Sequence, residues 1–160
     1  MPSAWQIQPA SPSDWRTTTG IANLRLNNNV PKPTPNPKTA LVRIHAAALN
    51  ARDMMVISHD PRYLKAIPGL TPCADGAGIV EEIGVGSKWS VGDKVLLMGA
   101  NWVDGPMPTL ETSNTLGAGP SHGTLREYAV VVRMPIFPIF AIFICYDRRS
   151  SNYSSLLFQN

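Results

Sequence analysis

Apolar and polar residues alternate most clearly between Ile67 and Leu97, IPGLTPCADGAGIVEEIGVGSKWSVGDKVLL. The run Ile79-Val80-Glu81-Glu82-Ile83 approaches the period of two expected of a half-buried strand. Gly84-Val85-Gly86-Ser87 and Val91-Gly92-Asp93-Lys94 supply breaks, and Val95-Leu96-Leu97 reads as a short apolar strand suited to a core. Gly76 and Gly78 around Ala77 predict a tight corner, because glycine accepts positive φ or lets another backbone approach. Upstream, Leu41, Arg43 and His45 alternate with Val42, Ile44 and Ala46, a second strand. Downstream, Leu125, Tyr128, Val130 and Val132 mark a third region of strand.

The intervening segments are punctuated rather than periodic. Residues 1–14 are polar and proline-bearing and predict a loose arm. Trp15 to Leu26 suggests a hairpin turning at Gly20, with Leu24 and Leu26 facing inward, and Asn27-Asn28-Asn29 ends it. Pro31, Pro33, Pro35 and Pro37 alternate with other residues and favour an extended segment, either a linker or a lead into the next strand. Asn50 to Val56 fits a short helix with Asn50 as N-cap and Asp53 at its third position. Gly99 to Pro120 is long, rich in Gly, Pro, Thr and Asn, and reads as a functional or disordered loop.

Composition narrows the class. The chain has 160 residues, 44% hydrophobic and 16% charged, which suits one globular domain. Its formal net charge is +3, scattered without a basic block, so no nucleic-acid surface is expected. Cys73 and Cys145 form no CxxC pair, and His45, His59 and His122 share no ligand spacing. His45 is expected on the polar face of its strand, the other two on loops. No basic region followed by an apolar stretch opens the chain, and a cytoplasmic location follows as the default.

Three blocks then act together: VRIHAAALNARD (Val42 to Asp53), DGAGIVEEIGVGSKWSVGDKV (Asp75 to Val95) and HGTLREYAVV (His122 to Val131). In this order and spacing the sequence resembles the GroES-like catalytic domain of medium-chain dehydrogenase/reductases, over 15–132. It is most similar to the zinc-free, quinone-reductase-like members, often labelled zinc-type alcohol dehydrogenase-like. The resemblance implies a mainly β fold, a partly open barrel with one or two short helices. It implies a catalytic-domain fragment of an NADPH-dependent oxidoreductase acting on a quinone, an enone or an aldehyde. It places Asn50, Arg52, Asp53 and Asp75 at the edge of the catalytic cleft, with Asn50 as the candidate cofactor contact. In zinc-dependent relatives a cysteine ligand stands where this chain has Asn50, and a histidine and a glutamate stand where it has Ala74 and Asp75. No zinc is therefore expected.

No stretch combines a strand, a GxGxxG turn and a helix; GVGSKW at 84–89 runs into another strand, and Pro120 interrupts GAGPSHG at 117–123. NADPH is accordingly not expected to bind this chain tightly, and the chain is expected to be inactive alone, cut before a nucleotide-binding domain. The alternative is a non-catalytic GroES-like binding or assembly module. Residues 133–160 depart from the family pattern. Their apolar run, Met134 to Tyr146, is interrupted by Pro135 and Pro138 and is shorter than the about 20 residues a membrane-spanning helix needs. No membrane partner is expected; a changed reading path, such as a retained intron, would account for this tail. Oligomeric state is not legible.

Overall fold

A computed structural model describes residues 1–9, 18–60, 67–97, 116–119 and 121–132. Six strands run through them: β1 (Ala4–Ile7), β2 (Leu24–Asn27), β3 (Thr39–Ala48), β4 (Asp75–Ile83), β5 (Lys94–Leu97) and β6 (Tyr128–Val132). A 3-10 helix, Thr18–Asn23, precedes β2, and one α-helix, α1 (Ala51–Ile57), follows β3. The strands form a two-stranded ribbon, β1-β2, and an open four-stranded sheet in the order β5-β4-β3-β6, every pairing antiparallel. This is the mainly β, partly open architecture expected of the three sequence blocks.

The long strand β3 holds the sheet together because it has a partner on each side. Ala40 faces Ile83 of β4 and Val131 of β6, and Ala48 faces Asp75 at the far end of β4. Thr39 to Val42 are all buried, so the first half of β3 is covered on both faces. Leu41 is therefore core despite sharing its phase with the exposed Arg43 and His45. One cluster gathers Ala40, Val42, Val80, Val95, Leu97, Ala129 and Val131 from the four strands. A second joins Ile7, Val56, Ile57 and Leu70, seating α1 against the ribbon. The described residues thus hold two small cores, one within the four-stranded sheet and one between α1 and the ribbon.

Three expectations are corrected. Residues 1–14 are not a loose arm throughout, since Ala4 and Ile7 are buried and Ala4 to Ile7 pair with Leu24 to Asn27. The partner of β2 is thus β1, and the residues from Thr18 to Asn23 form a 3-10 helix rather than a hairpin strand. Leu26 is exposed: Leu24 reaches the second core cluster, while the ribbon carries Leu26 away from it. Finally, Gly76 and Gly78 are not a corner. They lie inside β4, where a Cβ at Gly78 would meet the Arg43 carbonyl oxygen and stand 2.6 Å from Val42 Cγ1. These glycines permit close strand approach rather than positive φ.

The proline-bearing segment after Asn29 leads directly into β3, Lys38 turning at φ 63° with its N–H donated to the Val85 carbonyl at 2.8 Å. Most of the loop expected over 99–120, and all of 133–160, lie outside the described residues, as do Trp15 and Cys145. No helix among the described residues is long and apolar enough to cross a membrane.

Candidate functional site

The end of β3 and the start of β4 are brought level by the Ala48–Asp75 pairing, and α1 begins immediately after β3. Asn50, at φ −121° and ψ 163°, turns the chain from strand into helix. Its exposed side-chain amide donates from Nδ2 to Asp75 Oδ2 at 3.0 Å. Its backbone N–H donates to Asp53 Oδ2 at 2.8 Å, the return half of a capping box. Asp is shorter than the usual Glu, yet its carboxylate reaches the Asn50 N–H.

Asp53 is fully buried, at 0% exposure. Its second oxygen, Oδ1, accepts the Cys73 N–H at 3.1 Å. One carboxylate therefore ties the first turn of α1 to the loop entering β4. Arg52 lies beside it, with Nη2 3.8 Å from Asp53 Oδ1, and donates from Nη2 to the Leu116 carbonyl at 2.9 Å. The Thr124 hydroxyl donates to the Asp75 carbonyl at 2.8 Å, while the Thr124 N–H donates to the Cys73 carbonyl at 2.9 Å. A Cβ on Gly76 would stand 2.8 Å from Thr124 Cβ, so this contact needs a glycine.

All four residues singled out in the sequence thus meet in one place, but in different settings. Asn50 and Asp75 form a solvent-facing pair. Arg52 is half-buried and spans from α1 to the 116–119 segment. Asp53 is sealed beneath them and cannot touch a ligand without local opening. Thr124 and Leu116 were not anticipated. Thr124 stands within the third sequence block, whereas the role of Leu116 is carried by its main chain and leaves no side-chain signal.

Cys73 is buried at φ 75° and its thiol is pushed up to about 12, first by burial and then by the charge of Asp53, with Arg52 opposing. It stays a neutral thiol at physiological pH, neither nucleophile nor ready ligand. Ala74 has no donor atom, and among the described residues no three His, Cys, Asp or Glu side chains gather as a metal-binding group. His45 is exposed on β3, and His59 contacts the Gln8 carbonyl through Nε2 at 2.8 Å. His122 Nδ1 accepts the Thr71 N–H at 3.2 Å, which leaves any proton of the neutral ring on Nε2. Burial and the nearby Arg126 hold His122 below its ordinary value.

Chemically, the exposed pair offers an amide and a carboxylate already oriented toward each other. Such a pair can hydrogen-bond a carbonyl or carboxamide through the amide N–H without first reorganising. The sheet pairings described are all antiparallel, and none provides the parallel strand-turn-helix surface on which dinucleotide phosphates rest.

Comparison with known proteins agrees with this architecture. The alcohol dehydrogenase GroES-like domain matches residues 36–140. A zinc-type alcohol dehydrogenase-like protein of Schizosaccharomyces pombe is 35% identical over 101 residues, which cover 60% of this chain and 28% of that protein. A trans-enoyl reductase of Penicillium crustosum is 30% identical over 147 residues, 84% of this chain and 34% of the relative. A crotonyl-CoA carboxylase/reductase solved in complex with NADP superposes with a TM-score of 0.64, over 86% of this chain and 36% of its own. At 20% identity that last likeness is one of fold alone. The chain spans about a third of the length of these proteins.

Proposed function

The chain belongs to the alcohol dehydrogenase GroES-like domain family, and from that premise we propose that it forms the substrate-side wall of an NADPH-dependent reductase of activated alkenes. The observation that carries this is the Asn50–Asp75 pair, held at the mouth of the β3–α1 junction by the buried Asp53. An enoyl compound suits the likeness to a trans-enoyl reductase better than a quinone or an aldehyde does. The substrate gains hydride at carbon and charge at its carbonyl oxygen, and NADPH supplies the hydride when bound.

The chain's own residues have limited tasks. Asn50 orients whatever carbonyl or carboxamide reaches the cleft edge, donating or accepting a hydrogen bond. Asp75 holds one N–H of the Asn50 amide and leaves the other for a ligand. Arg52, anchored on the Leu116 carbonyl, holds the 116–119 segment against α1. Asp53 positions the other three and touches no reactant. No zinc is assigned to the site, since the places of the metal ligands in zinc-dependent relatives hold an amide, a methyl group and a carboxylate already bonded to that amide.

The described residues do not fit the dinucleotide, so hydride transfer requires a second, nucleotide-binding part. The test is to join this chain to the nucleotide-binding part of a trans-enoyl reductase and follow NADPH oxidation with an enoyl thioester. The fusion should turn over, and Asn50→Ala should lower kcat/KM by about 10- to 100-fold, or about 1.4–2.8 kcal/mol. Turnover unchanged by Asn50→Ala and by Asp75→Ala would remove the pair from the reaction.

A further inference from the structure

The exposed positions around the start of α1 follow one side of the helix. Asn50, Ala51 and Met54 are exposed while Asp53, Val56 and Ile57 are buried, the three- and four-residue spacing that separates two helix faces. Leu49, joined directly to Asn50, is exposed as well. Two large apolar side chains thus border the amide that donates to Asp75: Leu49 at 68% exposure and Met54 at 40%.

Local packing does not account for them. They stand just before the helix cap and four residues past it, where apolar side chains often cover each other and fix the entering chain. Here that cover is incomplete, and the entry is already fixed by the Asp53 carboxylate on the Asn50 N–H. Nor does the core need them, since α1 is seated through Val56 and Ile57. Other exposed apolar side chains belong to other elements, such as Trp5 and Leu26 on the ribbon and Val85 past the end of β4. Leu49 and Met54 therefore make a patch of two side chains. That is far short of the about 800 Å² per partner that a stable protein interface takes, but it suits an alkyl chain of a few carbons.

We propose that Leu49 and Met54 seat the alkyl group carried by the alkene of the enoyl substrate, and so select longer apolar substituents over short ones. This seat rests on the reductase function proposed above. In an enoyl compound only the two alkene carbons separate the carbonyl from the alkyl group. A carbonyl on the free N–H of the Asn50 amide therefore leaves the alkyl group beside the residues that border Asn50. Contact there takes apolar surface of the ligand and of both side chains out of water. Met54, unbranched and polarizable, adapts to alkyl chains of different length.

The test is a titration of the full chain, labelled with ¹⁵N and with ¹³C-methyl methionine, with N-acetylcysteamine thioesters of trans-2-butenoic, trans-2-hexenoic and trans-2-octenoic acid. The probes are the Asn50 side-chain amide, assigned by its loss in Asn50→Asp, and the Met54 methyl group, assigned by its loss in Met54→Gln. Both should shift saturably. Affinity should rise by about twofold per methylene, and so by about tenfold or more from the butenoyl to the octenoyl thioester. Leu49→Ser and Met54→Gln together should flatten that rise while the butenoyl thioester still shifts the Asn50 amide. Val85→Ser, also exposed but past the opposite end of β4 from Asp75, should leave the rise intact. An Asn50 response of equal affinity at every chain length would overturn the seat and leave the reductase function standing; it is the result expected if Leu49 and Met54 face a protein neighbour instead. A rise that survives the double variant, or that vanishes in Val85→Ser, would overturn the seat as well. If no thioester shifts the Asn50 amide, the reductase function itself fails and the seat with it. Should the double variant not fold, the chain-length series on the unaltered chain decides.

Discussion

Asp53 carries more of the local structure than any exposed residue of the site. Its two oxygens accept main-chain N–H groups from Asn50 and Cys73, one at 2.8 Å and the other at 3.1 Å, inside a region closed to water. Asp53→Ala strands both donors, and the fold should lose about 3 kcal/mol, read as a lower urea midpoint with an unchanged slope. His122 gives a pH-dependent counterpart. Its folded value lies below the ordinary 6.5, so the protonated ring is disfavoured in the native state. Its contribution is complete above pH 6.5 and is lost as pH falls through the folded value. Urea midpoints taken between about pH 7.5 and about pH 5.5 should fall with acid. His122→Asn, which offers Thr71 an uncharged acceptor, should flatten that slope; an unaltered slope would place the titration elsewhere.

At the scale of elements, the β3–β4 contact sets the site's position, and glycine sets the contact. Gly78→Ala would drive a methyl group against the Arg43 carbonyl and Val42 of the neighbouring strand. The expected cost is about 1–3 kcal/mol, with faster hydrogen exchange along β3 and β4 as the check. The sequence made much of this level legible. The strand phase from Ile79, the apolar triplet at Val95, and the Asn50/Asp53 cap are all local signals, each readable within a few residues. What was not legible depends on distant partners. Four residues, Ala4–Ile7, become a strand only because Leu24–Asn27 lies alongside. The glycines at 76 and 78 look like a corner until β3 is seen pressed against them. The ties from Thr124 to Asp75 and from Arg52 to Leu116 join residues 49 and 64 positions apart, and nothing in either neighbourhood announces them.

At the scale of the whole molecule, we propose the described part as one wall of a two-part reductase. Its open antiparallel sheet and helix present an oriented amide–carboxylate pair, while the pairings that would grip dinucleotide phosphates are lacking among the described residues. The relatives it matches are about two to three times as long. The most direct measurement is a titration of this 160-residue chain with NADPH, followed by nicotinamide fluorescence. No saturable binding and no oxidation of NADPH by an enoyl thioester are predicted. Saturable binding with turnover by the chain alone would contradict the account.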